Sequence, residues 1–217
     1  MNNLTTIQQI AVMALPVLFA ITVHETAHGY VARLFGDNTA MMMGRLTLNP
    51  LKHIDPIGTV LVPVTLFLFT GFLFGWAKPV PVNFRNLRNP RRDMALVAAA
   101  GPASNLLMAI AWVLLIRVGL WIGDAAPWLA LPLIYMGGFG ILINVVLMVL
   151  NLLPILPLDG GRVLSALLPP RLSQKYASLE PYGLLIIIAL LFTGLLGEIL
   201  WPPVQALQGL IRGLVGL

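Results

Sequence analysis

Cysteine is absent, so neither a disulfide framework nor a thiolate metal site can exist, and any transition metal must be held by imidazole and carboxylate. Charge is scarce as well: 10% of the residues are Asp, Glu, Lys or Arg, against about a quarter in ordinary soluble domains. With 59% hydrophobic residues and a mean hydropathy of +0.91, the 217-residue chain reads as a polytopic membrane protein. The net charge of +5 is small and sits largely in one loop. That pattern suits the positive-inside rule and gives no ground for nucleic-acid binding. The first apolar stretch lacks a basic n-region and an A-x-A-like cleavage site, so it reads as a mature helix rather than a secretory signal.

A window of about 20 residues, the length that crosses a hydrocarbon core, marks apolar segments near 9–33, 56–76, 94–118, 128–153 and 182–200, with a tail at 203–217. The fold class expected is an all-α polytopic membrane protein of about four to six membrane helices, in a single domain spanning 1–217. Two loops differ from the rest. In "MMMGRLTLNPLKHIDPIGT" (41–59) the alternation Arg45-Leu46-Thr47-Leu48, bounded by Gly44 and Asn49-Pro50, predicts a short strand after the first helix. In "WAKPVPVNFRNLRNPRRD" (76–93) Pro79 and Pro81 forbid regular helix and favour extended chain.

Histidine is rare, three in the whole chain, and two of the three fall in "ITVHETAHGY" (21–30). Residues four apart stack on one face of a helix, so His24 and His28 can reach one metal ion, while Glu25 lies about 100° round and can touch a water beside it. HETAH thus matches HExxH, the pattern of two zinc-binding imidazoles and a glutamate general base. The duller reading is a chance match of solvated or hydrogen-bonded residues. Against it stands the cost of such groups in a membrane helix, several kcal/mol on insertion scales when unpaired, which makes ionisable residues there functional by default.

Catalytic zinc normally has three protein ligands and a water. His53, beside Lys52 and Asp55, reads as an interfacial loop residue rather than the third ligand. Asp159 stands out in "NLLPILPLDGGR" (151–162), where Pro154 and Pro157 break the preceding helix and Gly160-Gly161 let the chain turn. Taken alone, it is better explained as an ordinary Asp-Gly turn at a membrane surface.

HETAH in the first helix, "AAGPASN" (99–105) opening a later one and "NLLPILPLDGGR" after the next together resemble the site-2 protease family of intramembrane zinc metalloproteases. "GRLTLNPLKHIDPIGT" and "WAKPVPVN" match its compact bacterial and archaeal members, which have no PDZ or CBS modules, and the resemblance runs from about residue 20 to 165. It implies one zinc ion per chain held by His24, His28 and Asp159, with Glu25 as general base and Asn151 holding substrate or the oxyanion. It gives Gly101, Pro102 and Asn105, of the GPxxN motif, to helix packing. It implies a catalytic core of about 9–165 and a C-terminal membrane-helix region at 182–217. The implied activity is hydrolysis of peptide bonds within or near transmembrane segments of membrane-protein substrates, in the lipid bilayer of a plasma or inner membrane. The alternative function is a zinc-binding membrane protein that does not cut: a metal transporter, or an inactive helix-binding scaffold. Oligomeric state is not read from the sequence.

Closure of the site dictates a topology. His24 and His28 lie in the C-terminal part of the first segment and Asp159 just beyond the end of 128–153, so both helices must run the same way. The helix at 94–118 supplies the one return. A full crossing at 56–76 would put Asp159 on the wrong side, which predicts a re-entrant, non-spanning hairpin there. Lys78, Arg85, Arg88, Arg91 and Arg92 then share a cytosolic face with Arg33, Arg45 and Lys52, and the active site opens toward the cytosol. Gly44–Leu48 and Pro79–Val82 offer edges on which an unwound substrate could pair, or they pair with each other. Asn144 is read as an interhelical hydrogen bonder. Met41, Met42 and Met43 read as apolar filler near a groove. Trp76, Trp121, Trp128 and Trp201 read as interfacial anchors, with Trp201, Pro202 and Pro203 ending the segment at 182–200. Arg162 is expected at the cytosolic surface or paired locally.

Overall fold

Three long apolar helices carry the fold, each begun by a local signal. In a computed structural model, which describes residues 5–62, 64, 65, 68, 75, 77–213 and 216, α1 (Thr6–Leu34) opens with a capping box between Thr5 and Gln8. A single turn, α2 (Thr39–Met42), follows the loop after it. Both α3 (Pro90–Ile122) and α4 (Pro127–Asn151) begin with proline at their first position, where no N–H is needed. Buried Asp93 accepts the Asn89 N–H at 2.8 Å and secures the start of α3. Beyond them lie α5 (Asp159–Leu167), α6 (Pro170–Ala177), α7 (Glu180–Phe192) and α8 (Leu195–Gly213).

Side-chain pairings fix the directions. Along α1 and α3, His24 meets Asn105 and His28 meets Val97, so the two are antiparallel. Between α3 and α4, Gly119 faces Ile134, Gly137 faces Ile116 and Gly140 faces Trp112, again antiparallel. Small residues let these backbones approach closely: a Cβ at Gly137 would lie 2.9 Å from the Trp112 carbonyl oxygen. It follows that α1 and α4 run parallel, as closure of the site required. The Phe35 carbonyl also accepts the Arg88 N–H at 3.0 Å. The chain thus leaves α1 and enters α3 at the same end of the bundle.

Among the described residues three helices are long and apolar enough to cross a membrane, or four if α6 and α7, bent by 61°, count as one span. The described residues thus reach the lower end of the expected four to six. Ala109, Val113, Ile141, Val145 and Val204 form the interior between α3, α4 and α8, while Ile10, Leu107 and Leu114 face outward as lipid-facing side chains do. Trp121 and Trp128 are exposed on either side of the α3–α4 connection, where interfacial anchors belong.

Several expectations need correction. No strand occurs among the described residues: 43–48 is turn and bend, with Gly44 at φ +62. Its tie to the Pro79 segment is a side chain rather than a ladder, because Arg45 Nη2 donates to the carbonyls of Lys78 at 3.0 Å and Pro79 at 3.3 Å. The apolar run 182–200 is not one helix, since α7 stops at Phe192 and the chain turns at Gly194, whose φ of +80 suits only glycine. Pro202 and Pro203 do not end a helix but lie inside α8, which burial of Leu196, Val204 and Ile211 holds in place. About half of the predicted hairpin at 56–76 lies outside the described residues; Pro56–Leu61 is a π-helical segment capped by Asp55.

The loop after α1 is tied down by Asp37, 1% exposed. Its carboxylate accepts from the Thr39 backbone and hydroxyl, from Asn86 Nδ2 at 2.9 Å and from the Asn83 N–H at 2.7 Å. Burial pushes this carboxyl up, but those donors outweigh it and hold the pKa below the ordinary value. The loop thus gains stability from Asp37 at neutral pH and loses it as the pH falls through that lowered pKa.

Candidate metal centre

His24 lies ten residues, and His28 six, from the C-terminal end of α1. At 1.5 Å per residue these are depths of about 15 and 9 Å below that end. Both imidazoles are buried, their rings edge to face with centroids 4.7 Å apart. Asp159 joins them from α5. The two Nε2 atoms are 3.1 Å apart, and Asp159 Oδ2 is 3.3 Å from that of His24 and 3.4 Å from that of His28.

That triangle has the dimensions of one face of a zinc tetrahedron: bonds of about 2.0–2.1 Å place ligand atoms about 3.3–3.4 Å apart. The proton arrangement makes the same demand. His28 Nδ1 lies 2.7 Å from the Val97 carbonyl, which can only accept, so this nitrogen carries the hydrogen. His24 Nδ1 lies 2.6 Å from Asn105 Oδ1. A metal-binding imidazole is neutral, and rings held in this way would then turn two lone pairs toward each other and toward a carboxylate oxygen. Asp159 Oδ2 is also buried without a hydrogen-bond donor. Three acceptors converging on one point repel unless a cation stands among them, and the imidazole and carboxylate set suits zinc. His24, His28 and Asp159 are the group of metal-binding side chains found among the described residues, and they can coordinate a single zinc ion.

Asp159 owes its place to glycine. The first turn of α5 lies against the C-terminal end of α4 and the loop after it, so a Cβ at Gly160 would overlap the Leu152 carbonyl and one at Gly161 would come within 2.6 Å of the Leu156 nitrogen. Tyr176 Oη donates to the Pro154 carbonyl at 2.9 Å from the other side. The carboxylate stands at the N-terminal end of α5.

Glu25 is half-buried beside this triangle, and its Oε2 accepts the Val80 N–H at 2.7 Å. Val80 carries the sole N–H of Pro79-Val80-Pro81. The segment is held by the Arg45 side chain and by the Lys78 N–H, which donates to the His53 carbonyl at 2.9 Å. His53 is buried, with Nε2 donating to the Thr47 carbonyl at 2.9 Å; it organises this loop and is not among the three clustered groups. Asn151 ends α4 with Nδ2 donating back to the Leu147 carbonyl at 3.0 Å. Arg162 pairs locally with Glu180 at 3.3 Å and stacks over Phe84.

Sequence reasoning gave the GPxxN residues to packing, and the structure adds more. Gly101 is where the histidine rings rest on α3, and Asn105 is the partner of His24. A usable signal existed: Asn105 and Asn144 are polar residues in apolar helices, and such groups seek one another. They do, with Asn105 Nδ2 donating to Asn144 Oδ1 at 2.9 Å.

Comparison with known proteins agrees with this geometry. The profile of peptidase family M50 matches residues 118–194. The chain is 41% identical over 195 residues to YwhC of Bacillus subtilis (strain 168), provisionally named a zinc metalloprotease, covering 89% of this chain and 86% of that one. It is 33% identical over 177 residues to Rip2 of Mycolicibacterium smegmatis, similarly named, covering 81% of this chain and 64% of that protein. Rip2 of Mycobacterium tuberculosis (strain H37Rv) is 29% identical over 80% of this chain and 63% of its own length. No solved structure matches. With HETAH and Asp159 converging as such a peptidase requires, the relationship is one of descent and of chemistry, and the chain belongs to peptidase family M50, the site-2 protease type of intramembrane zinc metalloprotease.

Proposed function

We infer that the chain cuts membrane-protein substrates within or near their transmembrane segments, with His24, His28 and Asp159 holding the ion, Glu25 as general base and Asn151 contacting substrate or its oxyanion. The observation that carries this reading is the convergence of three buried acceptor atoms within 3.4 Å of one another. Zinc, when bound, supplies Lewis acidity toward the attacking water and the scissile carbonyl. Glu25 takes the proton from that water at Oε1, while the Val80 N–H holds Oε2, and delivers it to the leaving amide nitrogen. A substrate helix hides its amides in i to i+4 bonds and must unwind before attack, so Gly or Pro near the cut lowers the cost.

Residues 1–217 act as one intramembrane domain, with a catalytic core of about 9–165 on which the C-terminal region 182–217 packs through Val204 and Ile211. The site faces the cytosol of a plasma or inner membrane. Support comes from charge: Arg33, Arg45, Lys78, Arg85, Arg88 and Arg91 lie at the end of the bundle where Phe35 meets Arg88.

Two measurements test this. Purified protein is expected to hold one zinc per chain by elemental analysis, and Asp159→Ala a small fraction of that; wild-type protein without stoichiometric metal overturns the reading. Single cysteines at 78–92, on this naturally cysteine-free background, are expected to react with an impermeant thiol reagent only once the cytosolic face is opened. Reaction in intact cells reverses the orientation.

A further inference from the structure

His28 is locked by a backbone carbonyl, but His24 is not. Its Nδ1 meets Asn105, whose Nδ2 donates to Asn144 Oδ1 at 2.9 Å and approaches the Ala20 carbonyl at 3.4 Å. Asn144 Nδ2 then donates to the Gly140 carbonyl at 2.8 Å. Both asparagines are fully buried. Each amide is fixed at its nitrogen end by a main-chain carbonyl that can only accept, so neither can flip without setting acceptor against acceptor. The direction of the whole chain is thereby determined from Gly140 to His24, and the oxygen of Asn105 must point at Nδ1.

The geometry points to Asn105 and Asn144 as positioning residues: a buried two-amide relay across α1, α3 and α4 that holds the His24 ring as its Nδ1–H tautomer with Nε2 toward Asp159. This rests on the reading of His24 as a zinc ligand. Amides suit the task better than the carboxylate that commonly orients a ligating histidine. A divalent ion with Asp159 and Glu25 ionised sums to zero charge, and a third carboxylate would leave an uncompensated anion in a low-dielectric interior. An amide fixes the tautomer without adding charge. The relay also ties the ion's position to the register of α4 on α3, the same helix pair whose far end leads through 152–158 to Asp159.

The test is a double-mutant cycle on full-length protein in detergent, reading zinc affinity by chelator competition and the visible spectrum of the cobalt-substituted form. Asn105→Ala is expected to weaken zinc about 10–100-fold, the range for loss of a ligand-orienting partner, and to alter the cobalt bands. Asn144→Ala, which touches no histidine, is expected to show a smaller loss in the same direction. The double variant should match Asn105→Ala within about twofold, because Asn144 reaches the ion only through Asn105. Zinc affinity at the wild-type value in folded Asn105→Ala, or losses that multiply in the double variant, overturns the relay. If Asn105→Ala does not fold, unchanged affinity in Asn144→Ala overturns it equally. Absence of zinc from the wild-type protein instead sinks the underlying assignment of the ligands.

Discussion

Replacing Glu25 with glutamine is expected to leave zinc at one ion per chain while lowering peptide-bond cleavage by about 10²–10⁴-fold, the contribution of a positioned proton-transfer group. The two properties separate because Glu25 is not one of the three clustered groups, its carboxylate being bonded to the Val80 N–H instead. Glutamine has nearly the same shape, and its amide oxygen can accept that N–H at the same place. What it lacks is a second oxygen able to take a proton at neutral pH. Elemental analysis together with cleavage of a single-span substrate in proteoliposomes measures both halves. A transporter built on the same ligands would lose little flux with this change, and an inactive scaffold would have no cleavage to lose, so the variant separates a protease from both non-cutting readings. Full cleavage by Glu25→Gln removes the general-base role from this residue.

The site was legible in unequal parts. HETAH gave itself away through spacing, because a period of 3.6 puts residues four apart on one face wherever the helix lies. Asp159 did not, since its approach to the histidines depends on Gly160 and Gly161 fitting against the end of α4, a contact between segments over a hundred residues from His24. Only resemblance to a family supplied it. The parallel run of α1 and α4 could be reasoned from the need to bring ligands from both to one depth, and the antiparallel pairing of α3 with each of them bears that out. Hydropathy failed where it is blind: it cannot see that Gly194 turns the chain inside an apolar run, nor that packing of Val204 and Ile211 carries a helix through two prolines. The alternation at Arg45–Leu48 misled for another reason. Four residues between Gly44 and Asn49-Pro50 meet no strand among the described residues, and Arg45 spends its side chain on the carbonyls of the segment opposite.

Gly101→Ala is expected to empty the metal site, lowering zinc content more than tenfold and cleavage by at least about 10²-fold, the cost of roughly 1 Å of misplacement at a reacting centre. In an ordinary helix this change is favourable by about 1 kcal/mol, so the predicted direction opposes propensity and comes from contact alone. A Cβ at this position would lie 2.5 Å from His24 Cε1 and 2.6 Å from His28 Cε1, and closer still to His28 Nε2. The flexible tip of a side chain could yield to such an overlap. These rings cannot, because each is tethered to the same face of α3 that carries Gly101, His28 by the Val97 carbonyl one turn before it and His24 by Asn105 one turn after it. Moving either breaks its orienting bond and opens the 3.1 Å separation of the Nε2 atoms. Gly138→Ala on α4 is the control, since a Cβ there meets nothing within 4 Å, and its zinc and cleavage should match wild type. Zinc content measured on both folded variants decides the matter: a fully loaded, active Gly101→Ala would mean that the rings are free to retreat, and that the close seat of the histidines on α3 does not set the geometry of the site.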